Sequence, residues 1–299
     1  MEHVNLAGLG IALITPFQTS GEIDFPALSR LIDYQLQNGA DYLVVLGTTA
    51  ETPTLTMPEQ KEITRFVVDK VGKQVPIVLG VGGNNTKAVV ERLKTESMKG
   101  VDAILSVVPY YNKPSQEGIY QHYKAIAQAS PLPVILYNVP GRTGVNMTAE
   151  TALRLAHDFD NIIAVKEASG NMAQINAILK DKPDNFQVVS GDDGNAFSMI
   201  TYGAVGVISV IGNALPEEFG RMVHMALSGD YAGALSIHNR FTELVDLLFV
   251  DGSPAGIKSI LSIMGYAENE LRLPLVPVRT ATYEKIRNAL QELRVEHRK

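Results

Sequence analysis

A lysine at the end of an apolar run is the residue of this sequence with the clearest chemical potential. Residues 162–165 are apolar and mostly β-branched, which is typical of a buried strand, and Lys166 ends the run. Burial disfavours the charged form of lysine, and the neutral amine that results can attack a ketone. Taken alone, this stretch favours the alternative that Lys166 reaches solvent or pairs with a carboxylate such as that of Glu167.

Other reactive side chains follow apolar runs in the same way. Thr48 and Thr49 come soon after one run, and their hydroxyl and backbone N–H groups are suited to hold a small carboxylate. Tyr137 ends another run, and the guanidinium of Arg142, a few residues further, is able to bind a carboxylate through two parallel hydrogen bonds. With Lys166, this set suits covalent catalysis on a small keto acid, in which the lysine forms an imine and the tyrosine transfers protons.

The remaining motifs give weaker predictions. The glycine-rich segment 80–86 lacks the lysine and hydroxyl residue that end a phosphate-binding loop, so a tight turn is favoured. Asp192 and Asp193 resemble part of a magnesium site, but few other carboxylates follow apolar runs. The six histidines lack ligand spacing, and Ser190 lacks the flanking glycines of a hydrolase nucleophile. We therefore expect neither a metal ion nor a serine nucleophile.

The spacing of the apolar runs predicts the architecture that must position these residues. Eight strand-like runs start at intervals of roughly 20 to 35 residues, the size of one βα unit, with helical segments between them: 10–14, 42–46, 76–79, 103–107, 134–137, 162–166, 187–190 and 206–210. This alternation predicts an α/β fold in which parallel strands close into a (β/α)8 TIM barrel. A doubly wound open sheet is the alternative, because periodicity does not report closure. Barrel enzymes carry their chemistry where the strands end.

The pattern changes after about residue 229. Three segments, 231–249, 255–264 and 280–294, are predicted to be helices, with glycine and proline between them. We therefore expect a catalytic barrel over residues 1–228 and a helical extension over residues 229–299 that packs on it.

Composition narrows the classes of function. The chain has 299 residues, of which 45% are hydrophobic and 19% charged, so a sizeable core is expected. Its net charge of −6 argues against nucleic acid and anionic membranes as partners. The absence of cysteine excludes thiolate metal sites and cysteine nucleophiles. No apolar run approaches the length of a membrane span, and no signal segment precedes the barrel pattern, so we expect a cytoplasmic protein.

Five motifs, in this order, resemble the dihydrodipicolinate synthase family, which belongs to the pyruvate-dependent class I aldolases and lyases typified by N-acetylneuraminate lyase. They are GTTAE at 47–51, PYYNKP at 109–114, YNVPGRTG at 137–144, VKEASG at 165–170 and SGDD at 190–193. The resemblance covers essentially the whole chain. It implies condensation of pyruvate with aspartate semialdehyde in diaminopimelate and lysine biosynthesis, no cofactor beyond the imine with pyruvate, and a homotetramer built as a dimer of dimers.

The resemblance also implies roles for single residues. Lys166 matches the Schiff-base lysine of the family, and Tyr137 matches its proton donor and acceptor. Thr48 and Tyr111 match the proton relay, in which the tyrosine reaches into the site of a neighbouring subunit.

Three further positions match contacts with the substrates in the family. Thr49 and Ile208 correspond to contacts with bound pyruvate, and Arg142 corresponds to the residue that binds the carboxylate of the aldehyde. Ala50 stands where the family usually has glycine, a difference that matters only if this position needs a positive φ.

A second departure concerns feedback inhibition by lysine. Members of the family that lysine inhibits carry polar or histidine groups in a site at a subunit interface. The matching positions here are Pro53, Met57, Gln60 and Ala88, although Asn84 and Tyr110 are retained. We expect inhibition by lysine to be weak or absent.

Two other functions stay open at this point. A related pyruvate lyase, such as N-acetylneuraminate lyase or a 2-keto-3-deoxy sugar-acid aldolase, would share Lys166 and Tyr137, but Arg142 favours an aldehyde that carries a carboxylate over a polyol. A non-catalytic keto-acid sensor would have no use for the proton relay of Thr48 and Tyr111.

Overall fold

Eight parallel strands form a closed barrel in the computed structural model of the chain, which describes residues 4–296. The strands are β1 (Gly8–Ala12), β2 (Tyr42–Val45), β3 (Ile77–Gly80), β4 (Ala103–Val107), β5 (Val134–Asn138), β6 (Ile162–Glu167), β7 (Gln187–Ser190) and β8 (Gly206–Ser209). Each strand pairs with the next, and β1 pairs with β8. The (β/α)8 barrel predicted from the sequence is therefore confirmed, and the open sheet is wrong.

Helices connect the strands and continue after the last of them. They are α1 (Phe25–Gln37), α2 (Met57–Val71), α3 (Thr86–Thr95), α4 (Gln116–Ala129), α5 (Pro140–Thr143), α6 (Ala149–Asp158), α7 (Met172–Asp181), α8 (Ala196–Thr201), α9 (Pro216–Leu227), α10 (Tyr231–Leu247), α11 (Ala255–Ile263) and α12 (Thr280–Glu296). The last three helices are the C-terminal helices that the sequence predicted. Within the described part of the chain, no helix combines the length and the apolar character needed to cross a bilayer.

Helix starts follow the capping chemistry of the sequence. Thr56 accepts a hydrogen bond from the backbone of Glu59, and the Glu59 carboxylate accepts one from the backbone of Thr56, which is a complete capping box at the start of α2. Ser115 and Thr148 cap α4 and α6 more simply, each hydroxyl accepting a hydrogen bond from the backbone N–H three residues on. These caps satisfy backbone N–H groups that would otherwise lack partners, and so they fix where each strand-to-helix connection ends.

The first strand lies two residues earlier than predicted, at Gly8–Ala12 instead of 10–14. Gly8 and Gly10 are of a residue type common in turns, so the local sequence does not indicate that the strand already begins at Gly8. In the barrel, a Cβ atom on Gly10 would lie 2.2 Å from the ring of Tyr42, whose side chain is fully buried. Glycine is required here because the tyrosine fills the barrel interior, a contact that local patterns do not reveal.

Alternate side chains of the strands face the barrel interior and the surrounding helices. One buried cluster draws members from all eight strands and fills the interior; it includes Ile135 and Tyr137 of β5, and Ala164 of β6. Lys166 follows Ala164 by two residues and therefore shares its side of the strand. Glu167, the next residue, faces the opposite side. The same alternation that builds the core thus directs the lysine inward.

Candidate active site

A cavity of about 480 Å³ opens at the carboxyl ends of the strands. Five of the seven predicted site residues line it: Thr48, Thr49, Tyr137, Arg142 and Lys166. A larger surface cleft of about 1250 Å³ involves α2 and α3 on another part of the molecule, and it contains none of these side chains. The cavity at the strand ends is therefore the candidate active site.

Lys166 and Tyr137 meet at the base of this cavity. They are register partners on the adjacent strands β6 and β5. The Lys166 Nζ atom lies 4.3 Å from the centroid of the Tyr137 ring, and each side chain is only 6% exposed. Lys166 forms no ion pair with any carboxylate among residues 4–296. The alternative that Lys166 extends into solvent or pairs with Glu167 is therefore wrong.

A network of amides holds the Glu167 carboxylate instead. Asn138 Nδ2 lies 3.1 Å from both carboxylate oxygens, Gln174 Nε2 donates at 3.1 Å, and the backbone N–H of Ser169 donates at 2.8 Å. Glu167 is 1% exposed, and Asn138 is its register partner. Because this pair lies one residue beyond Tyr137 and Lys166, it fixes the strand ends from the side that faces the helices. The sequence contains one sign of this network: a polar residue directly follows each reactive one, Asn138 after Tyr137 and Glu167 after Lys166.

Thr48 and Thr49 lie on a short 3₁₀ turn, Thr48–Ala50, that follows β2. Thr49 is buried, whereas Thr48 is exposed in the single chain. The residue with positive φ is Glu51, at +56°, and Ala50 is not among the described residues with positive φ. The alanine therefore needs no special backbone conformation, and the departure from the glycine of the family is harmless.

Arg142 lies on α5 at the rim of the cavity. Its side chain is exposed, and Nη2 donates a hydrogen bond to the backbone oxygen of Ser253 at 3.4 Å. Ser253 also lines the cavity, in the segment before α11. A contact with the C-terminal part of the chain thus holds the arginine at the rim, where its side chain remains exposed.

Two predicted residues do not line the cavity of the single chain. Ile208 is 1% exposed within the barrel interior, where its register partner is Gly10 of β1. Tyr111 is 89% exposed and has a φ of +72°. In this chain the Tyr111 side chain therefore lies at the surface, outside the cavity.

The two aspartates after β7 differ in their surroundings. Asp192 lines the cavity, and its oxygens accept hydrogen bonds from the backbone of Gly194 and from Asn195 Nδ2. Asp193 is buried, which raises its pKa to about 6, and its Oδ2 accepts from the backbone N–H groups of Val210 and Ile211. Asp193 thereby fixes the chain after β8. Within residues 4–296 we find no group of three or more acidic or histidine side chains that could hold a metal ion.

Sequence reasoning missed the contribution of α10 to the cavity. His238 and Thr242 of this helix line it, together with Phe249 just beyond the helix end. The His238 ring stacks on Phe197, with 5.6 Å between ring centroids, and burial lowers the pKa of the histidine. No local motif marks these residues, because α10 reaches the cavity only through the packing of the C-terminal helices on the barrel.

The model of the dihydrodipicolinate synthetase family matches residues 5–293 of the chain. The chain belongs to this family. It is 66% identical over 296 residues to the 4-hydroxy-tetrahydrodipicolinate synthase of Parabacteroides distasonis, which covers 99% of this chain and 100% of that relative. The corresponding enzyme of Phocaeicola vulgatus is 64% identical, with the same coverage.

A solved structure agrees with these sequence comparisons. The chloride-inhibited dihydrodipicolinate synthase of Acinetobacter baumannii, in complex with pyruvate, superposes with a TM-score of 0.94. It is 38% identical, and the match covers 97% of this chain and 99% of that chain. The family predicted from the five sequence motifs is confirmed.

Proposed function

We propose that the chain is a 4-hydroxy-tetrahydrodipicolinate synthase that condenses pyruvate with L-aspartate 4-semialdehyde through an imine on Lys166. The observation that carries this proposal is the buried contact between Lys166 Nζ and the Tyr137 ring at the base of the cavity. The names of the full-length relatives support the reaction, and the A. baumannii structure with pyruvate supports the first substrate.

The first half of the proposed reaction makes the nucleophile. The Lys166 amine adds to the ketone carbon of pyruvate, a proton from Tyr137 converts the ketone oxygen into a leaving water, and a protonated imine remains. Thr49 hydrogen-bonds the pyruvate carboxylate. The positive imine acidifies the adjacent methyl group, and loss of one methyl proton to the Tyr137 oxygen gives an enamine. In this scheme Thr48 and Tyr111, the latter from a neighbouring copy, relay protons between Tyr137 and solvent.

The second half of the proposed reaction uses the rim of the cavity. Arg142 binds the carboxylate of the semialdehyde, and the enamine carbon attacks its aldehyde carbon. The aldehyde oxygen becomes a hydroxyl by taking from Tyr137 the proton that the tyrosine removed from the methyl group, and the imine to Lys166 forms again. The amino group of the new adduct then attacks the imine carbon, which closes the ring and releases the Lys166 amine. No step needs a metal ion or a redox cofactor, and we propose that the enzyme uses none.

Four further features are part of the proposal. We place Ile208 beneath bound pyruvate, because its buried side chain is the one that β8 contributes to the cluster filling the barrel interior. We propose a homotetramer arranged as a dimer of dimers, as the family resemblance implies, with the exposed ring of Tyr111 available for a contact between subunits. We assign residues 1–228 to the barrel and 229–299 to the helical extension, of which residues 1–3 and 297–299 lie outside the described part of the chain. We place the enzyme in the cytoplasm, where pyruvate is available.

Borohydride reduction in the presence of pyruvate tests the proposal directly. We expect one pyruvate-sized adduct per chain by intact-protein mass, located on Lys166 by peptide mapping. Lys166→Arg should abolish the adduct, because a guanidinium stays protonated and cannot form the imine. Lys180→Arg, which changes an exposed lysine of α7, should leave it intact. An adduct on another lysine, or one that persists in Lys166→Arg, would refute the mechanism.

The second substrate distinguishes the remaining alternatives. With pyruvate present, aspartate semialdehyde should be consumed, whereas N-acetylneuraminate and 2-keto-3-deoxy sugar acids should not be cleaved. Formation of the Lys166 adduct without turnover of any aldehyde would instead favour a keto-acid sensor.

A further inference from the structure

Side chains from the C-terminal part of the chain hold the turn that carries Thr48 and Thr49. Glu51 ends this turn, and its carboxylate is completely buried. The Oε1 atom forms an ion pair with Lys258 Nζ of α11 at 2.5 Å. The Oε2 atom accepts a hydrogen bond from the backbone N–H of Arg272 at 3.1 Å. Both oxygens of the carboxylate are therefore held by residues that lie beyond the barrel.

Lys258 is itself enclosed. Its side chain is 0% exposed, its Nζ donates a hydrogen bond to the backbone oxygen of Glu270 at 2.8 Å, and the Nζ lies 4.2 Å from the centroid of the Phe17 ring. Burial lowers the pKa of the lysine to about 8, although the neighbouring Glu51 carboxylate favours the charged form. The ion pair is thus shielded from water on both sides.

Arg272 extends the same connection to the start of α2. Its guanidinium donates to both carboxylate oxygens of Glu59, at 2.6 and 3.0 Å, and to the backbone oxygens of Thr54 and Gly21. Lys258 and Arg272 therefore contact this part of the chain from Glu51, at the end of the 3₁₀ turn, to Glu59 in the first turn of α2.

The backbone of the turn makes it depend on this anchor. Glu51 adopts a left-handed conformation, with a φ of +56°, and such a conformation costs a non-glycine residue about 1 kcal/mol. Its backbone N–H donates to the oxygen of Thr48 at 3.1 Å. Any displacement of Glu51 is therefore passed directly to Thr48, and through it to Thr49.

Stability alone does not account for this arrangement. Replacing a buried ion pair with apolar side chains of similar volume is often neutral or stabilising, so a buried pair is weak evidence for a role in stability. The position of the pair, directly behind the two threonines of the site, indicates a different role.

We infer that Lys258 and Arg272 are positioning residues that act through Glu51 to fix Thr48 and Thr49 for binding of pyruvate. The inference rests on the proposed function, because it takes pyruvate as the ligand of the two threonines. It assigns to the C-terminal segment a direct part in substrate binding, in addition to covering the barrel.

The test uses the full-length enzyme and the variant Glu51→Gln, which keeps the shape of the side chain but removes its charge. We expect the displaced turn to lose one well-placed hydrogen bond to the pyruvate carboxylate, which corresponds to about a 10- to 100-fold increase in the KM for pyruvate. We expect kcat at saturating pyruvate to change much less. The pyruvate concentration that gives half-maximal borohydride trapping on Lys166 should rise with the KM.

The matched control is Glu96→Gln, which breaks the Arg92–Glu96 ion pair at the end of α3, another pair with little exposure. Both variants should lower the melting temperature, but only Glu51→Gln should raise the KM for pyruvate. A folded Glu51→Gln enzyme with an unchanged KM would overturn the inference, because a merely structural role predicts that result.

A double variant covers the case in which Glu51→Gln does not fold. Glu51→Leu combined with Lys258→Met replaces the ion pair with apolar side chains and leaves no buried charge unpaired. We expect this variant to fold, to form the Lys166 adduct and to have a raised KM for pyruvate. A normal KM in the double variant would overturn the inference while leaving the proposed function intact. Absence of the adduct in the unmodified enzyme would overturn the proposed function, and the inference with it.

Discussion

Two buried glutamates, Glu167 and Glu51, follow residues of the site closely in the chain, and their carboxylates are held in different ways. Glu167 follows Lys166 on β6 and is held by amides from β5, which pairs with β6 in the barrel, and from α7, the helix that follows β6. Glu51 follows the Thr48–Ala50 turn and is held by the C-terminal segment, with Arg272 lying 221 residues away in the chain. One anchor is neutral and comes from neighbouring elements; the other is charged and distant.

The difference reflects the elements that carry the reactive groups. Lys166 and Tyr137 lie on paired strands, so the hydrogen bonds of the sheet already set their separation, and neutral donors are enough to fix the strand ends. Thr48 and Thr49 lie on a turn, which has no ladder to hold it. A turn that must present donors accurately needs an external anchor, and here the C-terminal segment provides it.

The largest expected effect is that of Tyr137→Phe, in the half of the site that lies on the strands. Loss of a positioned proton donor and acceptor should lower kcat by about 10²- to 10⁴-fold. The ring remains, so Lys166 should stay in place and still form the pyruvate adduct, though slowly. Steady-state kinetics and trapping check both points.

Tyr42→Phe is the matched control for that variant, since the buried Tyr42 hydroxyl has no hydrogen-bond partner among the described residues. It should leave kcat unchanged. A Tyr137→Phe enzyme with normal turnover would show that the tyrosine only packs against the lysine.

Glu167→Gln should have the next largest effect. The new amide presents donors to Asn138 and Gln174, which are themselves donors, so the ends of β5 and β6 should shift. Misplacement of a reacting group by about 1 Å costs on the order of 100-fold in rate, so we expect kcat to fall by about 10- to 100-fold. The KM for pyruvate should change little, which is the opposite of the pattern expected for Glu51→Gln.

Glu150→Gln, on the exposed face of α6, serves as the control for this variant and should behave as the unmodified enzyme. If Glu167→Gln and Glu51→Gln raised the KM for pyruvate equally, the proposed division between strand and turn would be wrong.

Glu59→Gln should affect stability at neutral pH more than catalysis. Hydrogen bonds from Arg272 lower the pKa of Glu59 from 4.5 to about 2. Between these pH values the unfolded chain binds more protons than the folded one, so the stabilisation is complete above pH 4.5 and disappears as the pH falls through 2. With a quarter of the Glu59 side chain exposed, screening by water limits the effect to about 1 kcal/mol.

Urea unfolding of the unmodified enzyme and of Glu59→Gln at several pH values measures the difference in their free energies of unfolding. The gap in the free energy of unfolding should be constant from pH 7 to 5 and should shrink at lower pH. A gap that does not depend on pH would mean that Glu59 contributes through packing and not through its charge.

The smallest expected effect is that of added lysine. Met57 is 42% exposed and apolar, and Gln60 is buried, with its amide already donating to the backbone oxygen of Leu55. These side chains offer little to a charged amino acid, so initial rates should be nearly constant up to millimolar lysine. Complete inhibition at low-millimolar lysine would contradict the prediction.

Much of the molecule was determined by the sequence alone. Alternating apolar runs predicted a barrel, and the reactive residues at their ends predicted a cavity that contains Lys166 and Tyr137. Both predictions depend on local information: the two-residue period of a strand decides which side chains share a face, and parallel strands bring their carboxyl ends together. The five motifs were enough to assign the family.

Only the tertiary structure decided how the site is supported. The start of β1, the lining contributed by α10 and the ion pair between Glu51 and Lys258 each depend on contacts between residues far apart in the chain. No sequence pattern around Lys258 predicts that Glu51 is its partner, because the pairing results from helix packing and not from backbone periodicity. For this reason the residues that react were predictable, whereas those that hold the Thr48–Ala50 turn in place were not.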